Sequence, residues 1–182
     1  FFENRETPLT IYALEETIEV LKKHSFNDVI WPDFTKIKLL RKDAFSLILK
    51  PIKLDEIIKI HNYSIKAIKA NHISGACGFV IKKNHQGFVI SGDTHINPHI
   101  WEEINNDEEI RSLIIECSYP DKLQELAKLT KHLTPELIAN ELEKLTRKNL
   151  SVFYYHLKPS YNKELLKDIK KHKLLTYNGK IL

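Results

Sequence analysis

Three apolar runs in this sequence end in residues that can bind a cation or move a proton. Gly87-Phe88-Val89-Ile90-Ser91-Gly92 leads to Asp93 and Thr94. Leu113-Ile114-Ile115 leads to Glu116, ahead of the breaker Ser118-Tyr119-Pro120. Val152-Phe153-Tyr154-Tyr155 leads to His156, ahead of Lys158-Pro159. Short apolar runs between breakers read as strands, and the first, set between glycines, as one buried on both faces. Ligands of open α/β sheets settle outside the carboxyl ends of the strands. An acid, a second acid and an imidazole delivered there are placed for chemistry. The plainer alternative for Asp93 or Thr94 is a cap on the next element.

Neutral imidazole and carboxylate are the ligands of hydrolytic metal centres, where a divalent ion activates water. His72, Asp93 and His156 each follow a strand-like run, and a carboxylate between two such histidines can bridge two ions about 3.5–4 Å apart. Against this, His72 reads equally as a surface loop residue and His156 as a core imidazole bonded to backbone. His132, in Lys131-His132-Leu133-Thr134-Pro135, precedes a helix start. There it could donate a proton to a leaving oxygen if a carboxylate fixed its tautomer, and Glu116 is the obvious partner. The alternative makes His132 an exposed residue and pairs Glu116 with a lysine.

The elements that must position these residues are legible in outline. Leu9–Tyr12 reads as a strand entering a helix over Leu14–Lys23, and Phe26–Phe34 as a packed irregular segment. Phe45–Leu49 reads as a strand, and Glu56–Ile60 with Ser64–Ala70 as a hairpin. Gly78–Lys82 and Gly87–Ser91 form a second hairpin through Lys83-Asn84-His85-Gln86. Asn97-Pro98 opens a helix through Trp101 and Ile104. Asp121–Leu129 reads as a helix with Leu123, Leu126 and Leu129 on one side. Thr134-Pro135-Glu136 opens another, striped by Leu137, Ile138, Leu142 and Leu145. Strand Val152–Tyr155 and a helix over Lys163–Lys171 close the chain. A strand-rich first half and an alternating second half suggest an α/β (α+β) arrangement of sheet on sheet with helices outside.

At 182 residues the chain is read as a single domain, 1–182. No apolar run approaches the roughly 18–20 residues of a membrane span. Phe1-Phe2-Glu3-Asn4-Arg5 has neither the basic nor the apolar region of a secretory leader. Two cysteines, Cys77 and Cys117, are too few for a disulfide framework, and a cytoplasmic location is expected. The net charge of +4 favours an anionic ligand without establishing one.

Four segments in order, Ser91-Gly92-Asp93-Thr94, Ile114-Ile115-Glu116-Cys117-Ser118-Tyr119-Pro120, His132-Leu133-Thr134-Pro135-Glu136-Leu137 and Tyr155-His156-Leu157-Lys158-Pro159, form a set. Together they resemble the C-terminal signatures of the class II cyclic-nucleotide phosphodiesterases of the metallo-β-lactamase fold superfamily. Phe26-Asn27 with Ile30-Trp31-Pro32-Asp33-Phe34 resembles the bacterial members. The resemblance implies an αββα sandwich with a dinuclear site of two divalent ions, zinc or else manganese or iron. It implies His72 on one ion, Asp93 bridging both and His156 on the other. His132 and Glu116 match the His–Glu pair of the related ribonuclease Z enzymes, in which the histidine protonates the departing oxygen. The superfamily's His-x-His-x-Asp-His cluster is absent from this sequence. The chain is therefore expected to be the C-terminal two-thirds or so of the fold, incomplete at its N-terminus and a poor metal binder alone.

The expected activity of the intact protein is metal-dependent hydrolysis of a 3′,5′-cyclic nucleotide, with His132 as proton donor. One alternative is ribonuclease Z-like RNA 3′-end processing, though no long Gly/Pro-rich arm for gripping tRNA is present. Another is a non-catalytic fragment or binding module. A homodimer is expected from the family alone.

Overall fold

The computed structural model describes residues 5–147, 149–176 and 180–181. The chain divides into two compact units, Phe1–Lys53 and Leu54–Leu182.

In the first unit, β1 (Leu9–Leu14) and β2 (Leu47–Ile52) pair in parallel, with α1 (Glu15–His24) between them in sequence. Glu15 and Glu16 open α1, and Lys22, Lys23 and His24 close it, each set complementing the helix dipole. Ile18 is its buried residue. The segment from Phe26 to Phe34 is irregular, as expected, but not packed throughout. Asn27 Oδ1 accepts the amides of Val29 and Ile30, and this tight turn leaves Val29 82% and Trp31 58% exposed. The following strand starts two residues later than its apolar run, at Leu47, and continues through Pro51.

The second unit is built on a seven-stranded sheet in strict chain order. Its strands are β3 (Ile57–Ile60), β4 (Tyr63–Lys69), β5 (Cys77–Lys83), β6 (Gln86–Ile90), β7 (Ile110–Glu116), β8 (Ser151–Tyr155) and β9 (Lys180–Ile181). Pairing is antiparallel from β3 to β6 and parallel from β6 to β9. The reason is local. Asn84 and His85, both in the left-handed region, make the two-residue turn that a hairpin needs. Beyond β6 each connection carries helices: α2 (Pro98–Asn106), then α3 (Gln124–Thr130) and α4 (Pro135–Leu142), then α5 (Asn162–Lys171).

Those helices supply the core. Ile68, Val80, Val89, Leu113, Ile115, Val152 and Tyr154 cluster with Ile100, Trp101 and Ile104 of α2, Ile138 and Leu142 of α4, and Leu165 and Ile169 of α5. Of the stripe expected for α4, Ile138 and Leu142 are buried, Leu137 is partly buried against the same cluster, and Leu145, also partly buried there, lies past the end of the helix. The alternate residues Phe88 and Ile90 are only half-buried. The expectation that β6 is buried on both faces is therefore corrected: only its Val89 face enters the core. The expected face of α3 is also corrected. Its buried residue is Ala127, whereas Leu126 and Leu129, which share one side of α3, face solvent, and Leu123 lies in a 3₁₀ turn over Asp121–Leu123.

Two caps fix where helices begin beside the strand ends. Asn97 accepts the amide of His99 and Thr134 that of Leu137, each ahead of a proline at the first helical position. Ile115, fully buried in β7 directly ahead of Glu116, tests the dependence of this region on packing. Ile115→Ala is expected to lower unfolding free energy by about 2–5 kcal/mol, read as a lower urea midpoint at unchanged slope.

Candidate active site

Sheet register brings the three strand ends together. Ile90 lies opposite Ile114, and Glu116 opposite Tyr155. The ladder continues past the strands through Ser91 N–H to Ile114 O at 2.9 Å and Cys117 N–H to Tyr155 O at 2.9 Å. Asp93, Glu116 and His156 thus leave three adjacent strands at one end of the sheet. Both flanking turns use the left-handed region, at Gly92 (φ +63°) and at His156 itself (φ +61°). A non-glycine residue held there stores of order 1–3 kcal/mol, a cost that clusters at functional sites. At Gly92 a side chain has no room: a Cβ would stand 2.6 Å from the Cys77 carbonyl oxygen.

Glu116 is the centre of the arrangement. It is fully buried and accepts four hydrogen bonds. The Thr94 amide (2.8 Å) and His132 Nδ1 (2.7 Å) reach Oε1, while Ser118 Oγ (2.7 Å) and the Leu133 amide (3.2 Å) reach Oε2. These donors fill the lone-pair sites of a carboxylate. Since the Glu116 carboxylate accepts, Nδ1 of His132 carries the hydrogen, and Nε2 is the ring atom left free of Glu116.

His132 is held from its backbone as well. Lys131, in the left-handed region, caps α3 and turns the chain, so that the His132 amide bonds to Ala127 O at 2.8 Å. Its carbonyl accepts His95 Nδ1–H at 2.7 Å. Around the His132 ring stand His72, His156 and Tyr119, with centroids 5.0, 5.2 and 5.8 Å away.

His156 Nδ1 lies 3.1 Å from Asp93 Oδ1 and 3.1 Å from Ser118 Oγ. Asp93 and His156 keep 39% and 34% of their side-chain surface in solvent, unlike Glu116, so a ligand can reach them. Asp93, Glu116, His132 and His156 each offer a ligand atom within 4.8 Å of the others. His72 stands outside that four-residue group but against the His132 ring, and its Nδ1 is buried with no hydrogen-bond partner. Two hydrogen bonds hold its loop to the segment after Asp93, from the Asn71 amide to the Thr94 hydroxyl oxygen and from the His95 amide to the Asn71 carbonyl.

Neighbouring reactive groups are silenced by burial. It pushes the Cys117 thiol far above its ordinary range and the Tyr155 phenol up to about 12, despite the side-chain hydrogen bond of Tyr155 with Ser91. Sequence reading passed over three contributors. Thr94 and His95 anchor Glu116 and His132, and Ser118 touches both histidines, yet in the sequence Ser118 carries only the signal of a chain breaker.

The sequence profile of the family described as cAMP phosphodiesterases class-II matches residues 1–179. The chain belongs to that family. A probable 3′,5′-cyclic-nucleotide phosphodiesterase of Yersinia pestis is 27% identical over 84% of this chain and 50% of its own length. 3′,5′-cyclic-nucleotide phosphodiesterase 1 of Saccharomyces cerevisiae is 29% identical over 75% of this chain and 42% of its own. The chain thus spans about half the length of the curated relatives it matches. Among solved structures, the metallo-β-lactamase fold protein YhfI of Bacillus subtilis superposes at a TM-score of 0.70 and 15% identity, over 97% of this chain and 62% of its own. Human short-form tRNase Z does so at 0.60 and 16%, over 88% and 65%. These neighbours establish the metallo-β-lactamase fold.

Gly92→Ala is expected to lose about 1–3 kcal/mol of stability, because the new methyl meets backbone at a left-handed position. A lowered thermal midpoint, with far-ultraviolet circular dichroism unchanged at low temperature, is the measurement.

Proposed function

We propose that the whole protein is a metal-dependent phosphodiesterase that opens 3′,5′-cyclic nucleotides. One observation carries the reading: a buried His132–Glu116 pair at 2.7 Å, set beside solvent-accessible Asp93 and His156, in a chain of the class-II family. The names of the relatives supply the substrate class.

The donor set suits a divalent ion of intermediate softness, and we assign zinc ahead of manganese or iron. Asp93 and His156 would hold it on their accessible sides. His72, whose buried Nδ1 lacks any partner, would join them. When bound, two such ions supply an activated water and neutralise phosphate oxygens. What the chain itself contributes is orientation and a proton. Glu116 keeps hydrogen on Nδ1 of His132 and stabilises the imidazolium, which then releases its Nε2 proton to the departing ribose oxygen. The buried setting excludes water from that transfer. A cytoplasmic site of action and a homodimer belong to the same proposal.

In whole protein that turns over cyclic AMP, His132→Ala is expected to lower kcat roughly 10²-fold or more with little change in KM. Unchanged turnover removes His132 from the role. Running cyclic AMP against a tRNA precursor decides the substrate class, and preference for the precursor would favour the ribonuclease Z-like reading. Metal analysis of the purified chain bears on the third reading: stoichiometric zinc contradicts a metal-free binding module, and its absence supports one.

A further inference from the structure

We propose that Ser118 is a positioning residue, its single hydroxyl joining the His132–Glu116 pair to His156 and fixing the tautomer of His156. This role rests on the reading of the site as catalytic only for its consequence, not for its geometry.

Ser118 is fully buried, and its Oγ has three polar neighbours. Glu116 Oε2 lies at 2.7 Å, His156 Nδ1 at 3.1 Å and His132 Nδ1 at 3.3 Å. A serine hydroxyl has one hydrogen to give. Glu116 can only accept, stands closest and bears the charge, so the hydrogen goes there. The lone pairs of Oγ then face the two ring nitrogens, and each of these nitrogens must present a hydrogen rather than a second lone pair.

For His132 that requirement repeats what Glu116 Oε1 already imposes at 2.7 Å. For His156 it acts together with Asp93. The other neighbour of its Nδ1 is Asp93 Oδ1 at 3.1 Å, also an acceptor. Nδ1 of His156 thus carries the hydrogen and Nε2 the lone pair, the reverse of the tautomer that a free imidazole side chain prefers in water. Turning the hydroxyl towards His156 would take from Glu116 Oε2 its shortest donor, leaving only the Leu133 amide at 3.2 Å. The buried carboxylate therefore sets the direction of the hydroxyl, and the hydroxyl, with Asp93, sets the ring.

The test is ¹⁵N-histidine NMR on the metal-free chain at one alkaline pH, where the rings are neutral. Wild type is expected to show His156 chiefly as the Nδ1–H form. In Ser118→Ala, where Asp93 alone remains, the ratio of Nδ1–H to Nε2–H at His156 should fall roughly fivefold, the scale of one net hydrogen bond. His132 should keep its tautomer through Glu116, which also reports that the site is still folded. Ser118→Thr, which restores a hydroxyl, should restore the ratio. An Nε2–H form of His156 in wild type overturns the proposal even if the alanine variant does not fold. So does an unmoved ratio in Ser118→Ala with His132 intact. No turnover enters the measurement, so failure of whole protein to open cyclic nucleotides would refute the proposed function and leave this result standing.

Discussion

A carboxylate with no access to water governs this structure. A buried ionisable group is tolerated only when its hydrogen-bonding capacity is met inside the protein. Glu116 meets it with donors from four places: the turn after β6, the residue two ahead, His132, and the approach to α4. Thr94 lies in the connection from β6 to β7, whereas Ser118, His132 and Leu133 lie in that from β7 to β8. Satisfying one side chain therefore fixes, against the end of β7, two segments distant in sequence, at Thr94 and at His132–Leu133. The packed face of Val89, Leu113, Ile115 and Val152 supplies the free energy of folding, and Glu116 supplies the register of the turns beyond it.

The same side chain divides the site into an inner and an outer part. Glu116 and Ser118 have no solvent exposure and His132 little, so they behave as a rigid, dry frame. Asp93 and His156 keep a third or more of their side-chain surface in water, where a ligand arrives. Hydrogen bonds in the dry part are stronger and costlier to disturb than those at the rim. The His132–Glu116 pair is thus anchored inside, while Asp93 and His156 stand at the solvent side.

Much of this was legible in the sequence, and the exceptions share a cause. Asp93, Glu116 and His156 stood out because each ends an apolar run at a breaker, a pattern that the parallel sheet turns directly into adjacency. Asn97-Pro98 and Thr134-Pro135 marked helix starts because their caps are local chemistry. The distance between His132 and Glu116 could not be read, since it depends on the left-handed turn at Lys131. Ser118 was missed because a serine before Tyr119-Pro120 signals a turn whatever its hydroxyl touches. The leucines of α3 misled because leucines spaced along one side of a helix need not mark its buried side, which here is that of Ala127. The apolar Val29 and Trp31 misled because hydropathy does not register a turn made by one asparagine. Local signals survived, and whatever depended on the path between elements did not.

The change of pairing at β6 also bears on the order of assembly. From β3 to β6 the strands meet neighbours a few residues away, through tight turns at β3–β4 and β5–β6 and a short loop at β4–β5, whereas from β6 onward every pairing must close a longer connection. Local pairings form fast and distant ones slowly, because closure entropy is lost before contacts compensate it. The hairpins should therefore stand first and act as a template for the later strands. The site around Glu116, composed mainly from the slow half, is then the last region to become native and the first to be lost when the chain is stressed.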